Sequence, residues 1–339
     1  MTALSYAAKE RNFELLKQLV EKGANVNHKS KDNETVLESA CDNDIILKEA
    51  DSGMVHYLVD NGAEITERTF YALCYKGQIE LAKYLIAKGL PVAKGFILGA
   101  VRSGDLGFVK YLELNYNLNV NYIDSTDMET SLMMAAYGYA IKEAPYEKVN
   151  IDLMKYIISK GVDVNSISKE KSTALLNLVR YAKDDSITAL CTQLLIGKGA
   201  LTNIRDSSLD YSPLMFTASD KAIKTVKLLI ANGADINLKN RKGQTALSLA
   251  CWRYNNEEVI KCLVENGANI NERDNSDETP AMNAVIFGCW ENIKTLADLG
   301  ADLNIKTKSG NTLLDLVNDE TLKNYLISKG AKSGIKLNN

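Results

Sequence analysis

The sequence has little of what most enzymes use for chemistry. It contains only two histidines, His28 and His56, which stand in different parts of the chain with no third ligand at metal spacing. A histidine-based catalytic triad or a zinc site is therefore not expected. The glycine-rich patterns that cradle phosphates are also absent. These absences predict a protein that is not an enzyme and that holds no cofactor and no metal.

Long apolar runs, a signal peptide and a dominant charge are also lacking. The apolar runs are too short to cross a bilayer, and residues 1–10 have no basic region followed by an apolar core. The 40 Lys and Arg are interspersed with the 43 Asp and Glu. The short apolar runs predict no membrane span, and the interspersed charges predict no general affinity for nucleic acid because no strong field extends over the molecule. We expect a protein or peptide as partner, from the surface residues described below.

The six cysteines form no Cys-x-x-Cys pair, so neither a zinc ribbon nor a redox motif is indicated. Cys41, Cys74 and Cys251 fall at a position that holds alanine elsewhere in the chain, and we expect them to be small buried apolar side chains. This usage favours a reducing, cytoplasmic setting, although secretion as an effector stays open.

A short motif recurs with a period of about 33 residues. Residues 232–237 read Asn-Gly-Ala-Asp-Ile-Asn, residues 266–271 read Asn-Gly-Ala-Asn-Ile-Asn, and residues 299–304 read Leu-Gly-Ala-Asp-Leu-Asn. A fixed period of this length predicts a stack of similar repeats that bury their apolar faces against one another.

Two signals mark the helices of each repeat. Glycine supplies the left-handed residue that ends the second helix, with Asn117 as a degenerate copy; the glycines are Gly23, Gly62, Gly89, Gly161, Gly199, Gly233, Gly267, Gly300 and Gly330. A hydroxyl residue predicts the N-cap of the first helix, and Pro213 and Pro280 directly follow such a cap; the cap residues are Thr35, Thr130, Thr173, Ser212, Thr245, Thr279 and Thr312.

The motifs resemble the ankyrin repeat. Residues 279–288 and 2–8 look like its Thr-Pro-Leu-His-x-Ala-Ala opening, and residues 232–237 look like its Gly-Ala-Asp-Val-Asn close. The resemblance implies an all-α solenoid of stacked antiparallel helix pairs with β-hairpin-like finger loops. We expect about ten repeats followed by a disordered tail at 333–339; the repeats are 1–28, 29–67, 68–94, 95–122, 123–166, 167–204, 205–238, 239–272, 273–305 and 306–332.

The chain departs from the family pattern in three ways. The family's histidine at the fourth motif position never appears, with Glu38 and Asp315 among its replacements, so weaker coupling between repeats is expected. Two repeats are short and lack the finger, which predicts a zone with few fingers near 63–68 and 90–95. Insertions at 42–53 and 139–150 are either functional loops or tolerated drift, and both interpretations stay open.

The resemblance places two positions of each repeat at the end of the first helix, on the concave face. Aromatic and cationic residues gather there in the middle and later repeats, and such residues dominate the energetic centre of protein interfaces. We therefore predict a partner-binding ridge; its residues are Tyr75, Lys76, Arg102, Tyr137, Arg180, Tyr181, Trp252, Arg253, Ile286 and Phe287. Further polar contacts are expected at the finger tips, at Asp127, Asp210, Tyr211, Arg241 and Lys242.

The predicted function is that of a non-catalytic, monomeric adaptor that binds a protein or peptide along this ridge. The alternative is a host-directed or secreted effector whose activity is not visible in the sequence. For any single aromatic residue, including Trp252 and Phe287, packing against the next repeat is favoured over partner contact. Asn27, Asn237 and Asn271 are similar to asparagines that are hydroxylated in ankyrin repeats, but bonding to the neighbouring loop is favoured.

Overall fold

The structure is a computed structural model that describes residues 2–41, 49–137 and 149–334. The chain divides into two compact units, Met1–Asp163 with Tyr181–Lys183, and Val164–Arg180 with Asp184–Asn339. Over the described residues, each unit is built from helices joined by loops, and the only β-type pairing consists of two isolated bridges in the first unit, Lys29 with Thr35 and Ile123 with Thr130. The predicted all-α class is confirmed.

The helices of the first compact unit come in consecutive pairs, and the first helix of each pair packs on the first helix of the next. They are α1 (Ala3–Lys9), α2 (Phe13–Glu21), α3 (Val36–Cys41), α4 (Glu49–Asp60), α5 (Glu67–Tyr75), α6 (Ile79–Ala87), α7 (Phe96–Ser103), α8 (Leu106–Tyr116), α9 (Ser131–Ala136) and α10 (Ile151–Ser159).

The second compact unit repeats this arrangement, with α13 packed on α15, α15 on α17 and α17 on α19. Its helices are α11 (Ala174–Tyr181), α12 (Asp185–Ile196), α13 (Pro213–Ser219), α14 (Ile223–Ala231), α15 (Ala246–Ala250), α16 (Glu257–Glu265), α17 (Pro280–Ile286), α18 (Trp290–Asp298), α19 (Leu313–Leu316) and α20 (Glu320–Ser328).

The predicted start and stop signals are confirmed. The Thr245 hydroxyl accepts from the Ser248 amide at 3.3 Å, and Pro213 and Pro280 occupy the first turn of α13 and α17. Every predicted stop glycine has a positive φ, and Asn117 takes the same left-handed conformation with φ 50°. The sequence alone therefore places the ends of most helices, because these positions require special backbone chemistry.

Large side chains fill the interface between α5 and α7. The rings of Phe70 and Phe96 stack with centroids 3.9 Å apart, and both residues are fully buried. A Cβ atom at Gly99 would lie 3.0 Å from the Tyr71 ring and 3.2 Å from the Phe70 ring. Glycine at this position therefore permits the close approach of α7 to α5.

Where an acid replaces the family's histidine, it makes hydrogen bonds of its own beyond its helix, and weaker coupling between repeats stays a prediction. Glu38, which is buried, accepts hydrogen bonds from the Thr35 amide at 2.9 Å and from the Thr66 hydroxyl of the next repeat at 2.6 Å. Asp315 likewise accepts from the Thr312 amide at 2.8 Å. A carboxylate at this position reaches both its own helix cap and the following segment, as a tie between repeats requires.

An asparagine ladder joins the loops of successive repeats. The Asn237 amide donates to the Gly267 carbonyl at 3.0 Å, and its oxygen accepts from the Asn269 amide at 2.9 Å. The same pair of bonds is made by Asn27, Asn165, Asn203 and Asn304. Bonding to the neighbouring loop, favoured from the sequence, is confirmed for Asn27 and Asn237.

Several sequence-based predictions fall partly or wholly outside the described residues. Most of the insertions at 42–53 and 139–150 lies there, as do residues 335–339 of the predicted tail. Ser333 and Gly334, which the predicted tail includes, both donate hydrogen bonds to Asp315, at 2.5 and 2.7 Å. These hydrogen bonds join Ser333 and Gly334 to α19.

The cysteines are buried, as expected for Cys41, Cys74 and Cys251. All six are free and buried, and burial raises the pKa of the Cys74 and Cys251 thiols far above the usual range. Within the described part of the chain, no helix is long and apolar enough to span a bilayer. The same residues contain no group of three or more His, Cys, Asp and Glu side chains placed to hold a metal ion.

Candidate functional site

A groove opens in the first compact unit where the two fingers are missing. Helix α5 begins five residues after Gly62 and α7 seven residues after Gly89, whereas α15 begins thirteen residues after Gly233. The groove has a volume of about 580 Å³, and we call it the α5–α7 groove. Its lining residues are Glu34, Glu38, Arg68, Tyr71, Ala72, Tyr75, Lys76, Leu98, Gly99, Arg102, Asp124 and Met134.

The two fingers that remain stand at either side of this groove. Glu34 precedes α3 in the finger marked by the Lys29–Thr35 bridge, and Asp124 precedes α9 in the finger marked by the Ile123–Thr130 bridge. Between them, the exposed face of α5 has no finger of its own, and α7 adds Arg102 as its exposed residue. The two short loops therefore leave this face of α5 without a neighbouring finger.

Tyr71 forms the floor of the groove over two glycines. Besides its approach to Gly99, its hydroxyl would lie 2.9 Å from a Cβ atom at Gly95. The ring is edge-on to Phe70 and Phe96, with centroids 5.7 and 5.6 Å away. Burial, reinforced by the charge of Glu67, raises the pKa of Tyr71 to about 12, so the hydroxyl stays neutral and can donate a hydrogen bond.

Arg102 is held by aromatic rings rather than by an acid. Its guanidinium carbon lies 5.2 Å from the Tyr75 ring centroid and 5.9 Å from that of Tyr137, and its Nη1 is 3.8 Å from the Met134 sulfur. Its contacts in the described part of the chain are with these rings and this sulfur, and none is with a carboxylate. Cation–π contacts fix the plane of a guanidinium and leave its N–H edges free to bind an anion.

The carboxylates of the groove are used by the chain itself. Both oxygens of Glu38 accept hydrogen bonds, as described above. Glu34 accepts from the Ser39 hydroxyl at 3.0 Å, and Asp124 Oδ1 accepts from the Thr126 amide at 2.6 Å. These acids stabilise turns and helix caps around the groove.

The remaining cations of the groove differ from each other. Lys76 donates to the carbonyl of Cys41 in α3, which ties the end of α5 to the preceding repeat. Arg68 is exposed at the start of α5 and has no hydrogen-bond or ion-pair partner in the described part of the chain. Lys76 therefore already binds a backbone carbonyl of the fold, whereas the guanidinium of Arg68 can bind a ligand.

In the second compact unit, the Arg180 guanidinium lies over the Phe216 ring at 5.7 Å and its Nη1 is 3.6 Å from the buried Asp206. Tyr181, at the end of the same helix, clusters with the first compact unit, where its ring centroid is 4.9 Å from that of Tyr137. Both predicted ridge residues thus already contact other side chains.

The later ridge residues form an aromatic patch in the second compact unit. Trp252 is half-buried and stacks on Phe287 of the next repeat with ring centroids 4.9 Å apart. Ile286 is 61% exposed, Phe287 is 41% exposed, and Arg253 Nε donates to the Ser219 carbonyl at 2.8 Å. Trp252 therefore folds back onto its neighbour, while Ile286 and Phe287 still present apolar surface.

The predicted finger-tip residues are mostly tied to neighbouring loops. The Arg241 guanidinium donates to the carbonyls of Ser207 and Ser208 at 2.6 and 3.1 Å. Asp210 accepts from Arg205 at 2.8 Å, and the Tyr211 ring lies 5.2 Å from the Phe216 centroid. Burial raises the pKa of Tyr211.

Two finger tips keep more exposed side chains. The Lys242 carbonyl accepts from the Asn275 amide at 2.9 Å, while its side chain is exposed. Asp127 is also exposed. The finger tips thus join successive loops more than they form a separate binding surface.

The structure brings together only part of the predicted ridge. Tyr75, Lys76 and Arg102 line the α5–α7 groove, and Tyr137 contacts Arg102. Sequence analysis missed Arg68 and Tyr71, together with the acids and Met134, because it considered only the ends of the first helices. The signal that could have found them was the pair of short repeats, since a missing finger exposes a whole helix face and not only its end.

Comparison with known proteins identifies the family. The family model for ankyrin repeats matches in three copies, at residues 1–69, 139–240 and 214–307. The chain belongs to the ankyrin repeat family. Among solved structures, an ankyrin repeat domain from Acinetobacter baumannii AYE is 27% identical with a TM-score of 0.50, covering 59% of this chain and 98% of that one.

Curated relatives come from varied organisms. The chain is 27% identical over 241 residues to the ankyrin repeat and KH domain-containing protein mask-1 of Caenorhabditis elegans, covering 68% of this chain and 8% of that protein. It is 30% identical to the putative ankyrin repeat protein L371 of Acanthamoeba polyphaga mimivirus, over 43% of this chain and 17% of that protein. The putative ankyrin repeat protein YahD of Escherichia coli K12 is 25% identical, over 54% of this chain and 92% of its own length.

The chain thus spans only a small part of the first two relatives. Ankyrin repeats are generally modules of protein–protein interaction.

Proposed function

We propose that the protein is a non-catalytic adaptor that binds a segment of a protein partner in the α5–α7 groove. The observation that carries this proposal is the exposed helix face left by two missing fingers, with Tyr75 and Arg102 at its edge. Rigid aromatic and arginine side chains supply much of the energy of protein interfaces because they bury a large area at low conformational cost.

The later ridge residues offer a second contact surface. Ile286 and Phe287 present apolar surface in the second compact unit, where Trp252 stacks on Phe287. We propose that this patch is a separate contact surface for the same partner or another one. A standard interface buries about 800 Å² per partner, so a few repeats suffice for each.

The setting of the protein is also part of the proposal. Six buried free thiols suit a reducing, cytoplasmic compartment, where disulfides are disfavoured. We propose that the chain acts as a monomer, because α1, α3, α5, α7 and α9, and likewise α13, α15, α17 and α19, already pack on one another in succession.

A comparative affinity capture from the source cell tests the proposed function. The bait would be the whole chain, either as wild type or as the variant Tyr75→Ser with Arg102→Ser. A matched control carries Tyr6→Ser with Lys9→Ser, which changes an exposed tyrosine and an exposed cation on α1. Partners retained by the wild type and the control but lost by the groove variant support the proposal.

Circular dichroism would first establish that all three baits are folded. Identical partner sets for the three baits would overturn binding at the groove. Turnover of substrates by the purified chain in a broad activity screen would overturn the non-catalytic part of the proposal.

A further inference from the structure

We propose that the α5–α7 groove selects an extended acidic segment, in which two carboxylates three or four residues apart flank an apolar side chain. One carboxylate pairs with Arg102 and the other with Arg68, and the apolar side chain rests on Tyr71 and Tyr75. This inference rests on the proposed function and adds the chemistry of the partner.

The two arginines of the groove, which have no carboxylate partner in the described part of the chain, favour a carboxylate ligand. The groove's acids Glu34, Glu38 and Asp124 already accept hydrogen bonds from the chain. Its guanidiniums, on Arg68 and Arg102, have no carboxylate within ion-pair distance in the described part of the chain. Because each guanidinium offers five donors, Arg68 and Arg102 retain charged donors that a carboxylate of the ligand can satisfy.

The orientation of Arg102 strengthens this assignment. Tyr75 and Tyr137 contact the guanidinium at 5.2 and 5.9 Å, so part of the side-chain entropy that binding would cost has already been lost in the free protein. A guanidinium fixed in this way presents a fork that matches a carboxylate by two parallel hydrogen bonds. Lysine at the same position could not reproduce the planar contact.

The position of the two arginines in the repeat sets the spacing of the ligand. The interval of 27 residues between Gly62 and Gly89 makes Arg102 equivalent to Tyr75, seven positions after Arg68 along the first helix. Seven residues of helix rise about 10 Å, and neighbouring helices lie about 10 Å apart, so the two positions are separated by roughly 14 Å. An extended chain advances about 3.3 Å per residue and crosses this distance in about four residues.

The floor between the arginines is suited to an apolar side chain. Tyr71 is 38% exposed and Tyr75 is 43% exposed, and Gly99 adds no side chain between them. A leucine or phenylalanine placed between the two carboxylates would cover these rings. The apolar contact supplies affinity, and the charged contacts fix register and direction.

Selection from a peptide library tests the inference. A phage-displayed library of random twelve-residue peptides is panned on the whole immobilised chain and, in parallel, on the Arg102→Gln variant. We expect the wild type to enrich sequences with Asp or Glu three or four positions apart and an apolar residue between them. The variant is expected to lose this pattern.

The strongest enriched peptide is then measured by fluorescence anisotropy. We expect Arg102→Gln to raise the Kd by roughly tenfold and Arg68→Gln by roughly threefold to tenfold, as the loss of charge-assisted hydrogen bonds at exposed sites predicts. Replacing either acid of the peptide by its amide should have a matching effect. Lys110→Gln on α8 removes a charge outside the groove and should leave the Kd unchanged.

The outcomes separate the two proposals. If no peptide is enriched on the wild-type chain, binding of an extended segment in the groove fails and the inference fails with it. If peptides are enriched but are neutral or basic, or bind Arg102→Gln and Lys110→Gln equally well, the proposed function stands and the acidic specificity is overturned.

Discussion

The carboxylate of Glu38 accepts a hydrogen bond from the Thr66 hydroxyl at 2.6 Å, and the two residues belong to successive repeats. The other oxygen of Glu38 accepts from the Thr35 amide at 2.9 Å, so one side chain caps its own helix and holds the next. Thr66 in turn caps α5, the helix that carries Tyr71 and Tyr75. The position of the groove helix therefore depends on this contact.

We expect Glu38→Ala to lower the free energy of unfolding by about 2 kcal/mol, because the buried Thr35 amide and the Thr66 hydroxyl lose their acceptor. Glu38→Gln keeps an acceptor for one of them and should cost about half as much. Urea unfolding followed by circular dichroism measures both. Glu80→Ala, which removes an exposed carboxylate on α6, is the control and should change stability by less than about 0.5 kcal/mol. Equal changes in unfolding free energy for Glu38→Ala and Glu80→Ala would show that the hydrogen bonds of Glu38 do not stabilise the protein.

The asparagine ladder gives a second prediction. Asn237→Ala removes both the donor to Gly267 and the acceptor for Asn269, and we expect it to cost about 1–2 kcal/mol of unfolding free energy. Asn232→Ala is the control, because its amide bonds only the Leu228 carbonyl of its own helix, and it should cost less.

Because Asn237 links two repeats, its loss should also reduce the cooperativity of unfolding, seen as a smaller denaturant m-value. An Asn237→Ala chain that unfolds as cooperatively and at the same midpoint as wild type would show that the ladder does not couple repeats.

The carboxyl group of Asp315 predicts a dependence of stability on pH. Burial opposes its ionisation, but hydrogen bonds from Ser333, Thr312 and Gly334 outweigh it and lower the pKa from 3.8 to about 2. Because the folded pKa lies below the unfolded value, the ionised form stabilises the fold above about pH 4, and this contribution is lost as the pH falls toward 2.

We therefore expect wild type to be more stable than Asp315→Asn by about 1–2 kcal/mol at pH 6, with the difference shrinking below pH 4. Urea unfolding at pH 6, 4 and 3 measures this difference. A gap that is constant across this range would show that Asp315 is not ionised preferentially in the folded state.

Trp252 tests whether the aromatic patch is packing or contact surface. Its Nε1 is buried without a hydrogen-bond partner in the described part of the chain, which is unfavourable for an indole N–H. We expect Trp252→Phe to cost less than about 1 kcal/mol, because the lost ring area is offset by removal of the unpaired donor. Trp252→Ala should cost about 3 kcal/mol.

Phe287→Ala should have a smaller effect of about 1 kcal/mol, since that ring is 41% exposed. Thermal and urea unfolding would measure all three variants. If Phe287→Ala destabilises the protein as much as Trp252→Ala, Phe287 belongs to the core and is not available to a partner.

The helix boundaries could be predicted from the sequence because they depend on local chemistry. A left-handed residue such as Gly233 or Asn117 and a hydroxyl cap such as Thr245 each act within one turn, so a single sequence contains the information. The tie made by Glu38 could not be predicted in the same way. Its partner Thr66 is 28 residues away, and only the fold reveals that a carboxylate reaches it.

The candidate site was predicted in part for a similar reason. The resemblance gave the ends of the first helices, which located Tyr75 and Arg102. It gave no means of placing Tyr71 or Arg68, whose exposure results from fingers that are missing and not from residues that are present. For Trp252, the position in the repeat could be predicted from the sequence, but the exposure of the side chain could not. Whether an aromatic side chain packs or stays exposed depends on its neighbour, here Phe287.

The two short repeats show that a repeat array can form a groove where finger loops are absent. Removing a finger leaves the helix pair intact, because α5 is still capped by Thr66 and closed by its own stop signals. No new side chain has to be introduced for the exposed helix face to become accessible. In such an array, the length of a loop is as much a determinant of specificity as the identity of the residues beneath it.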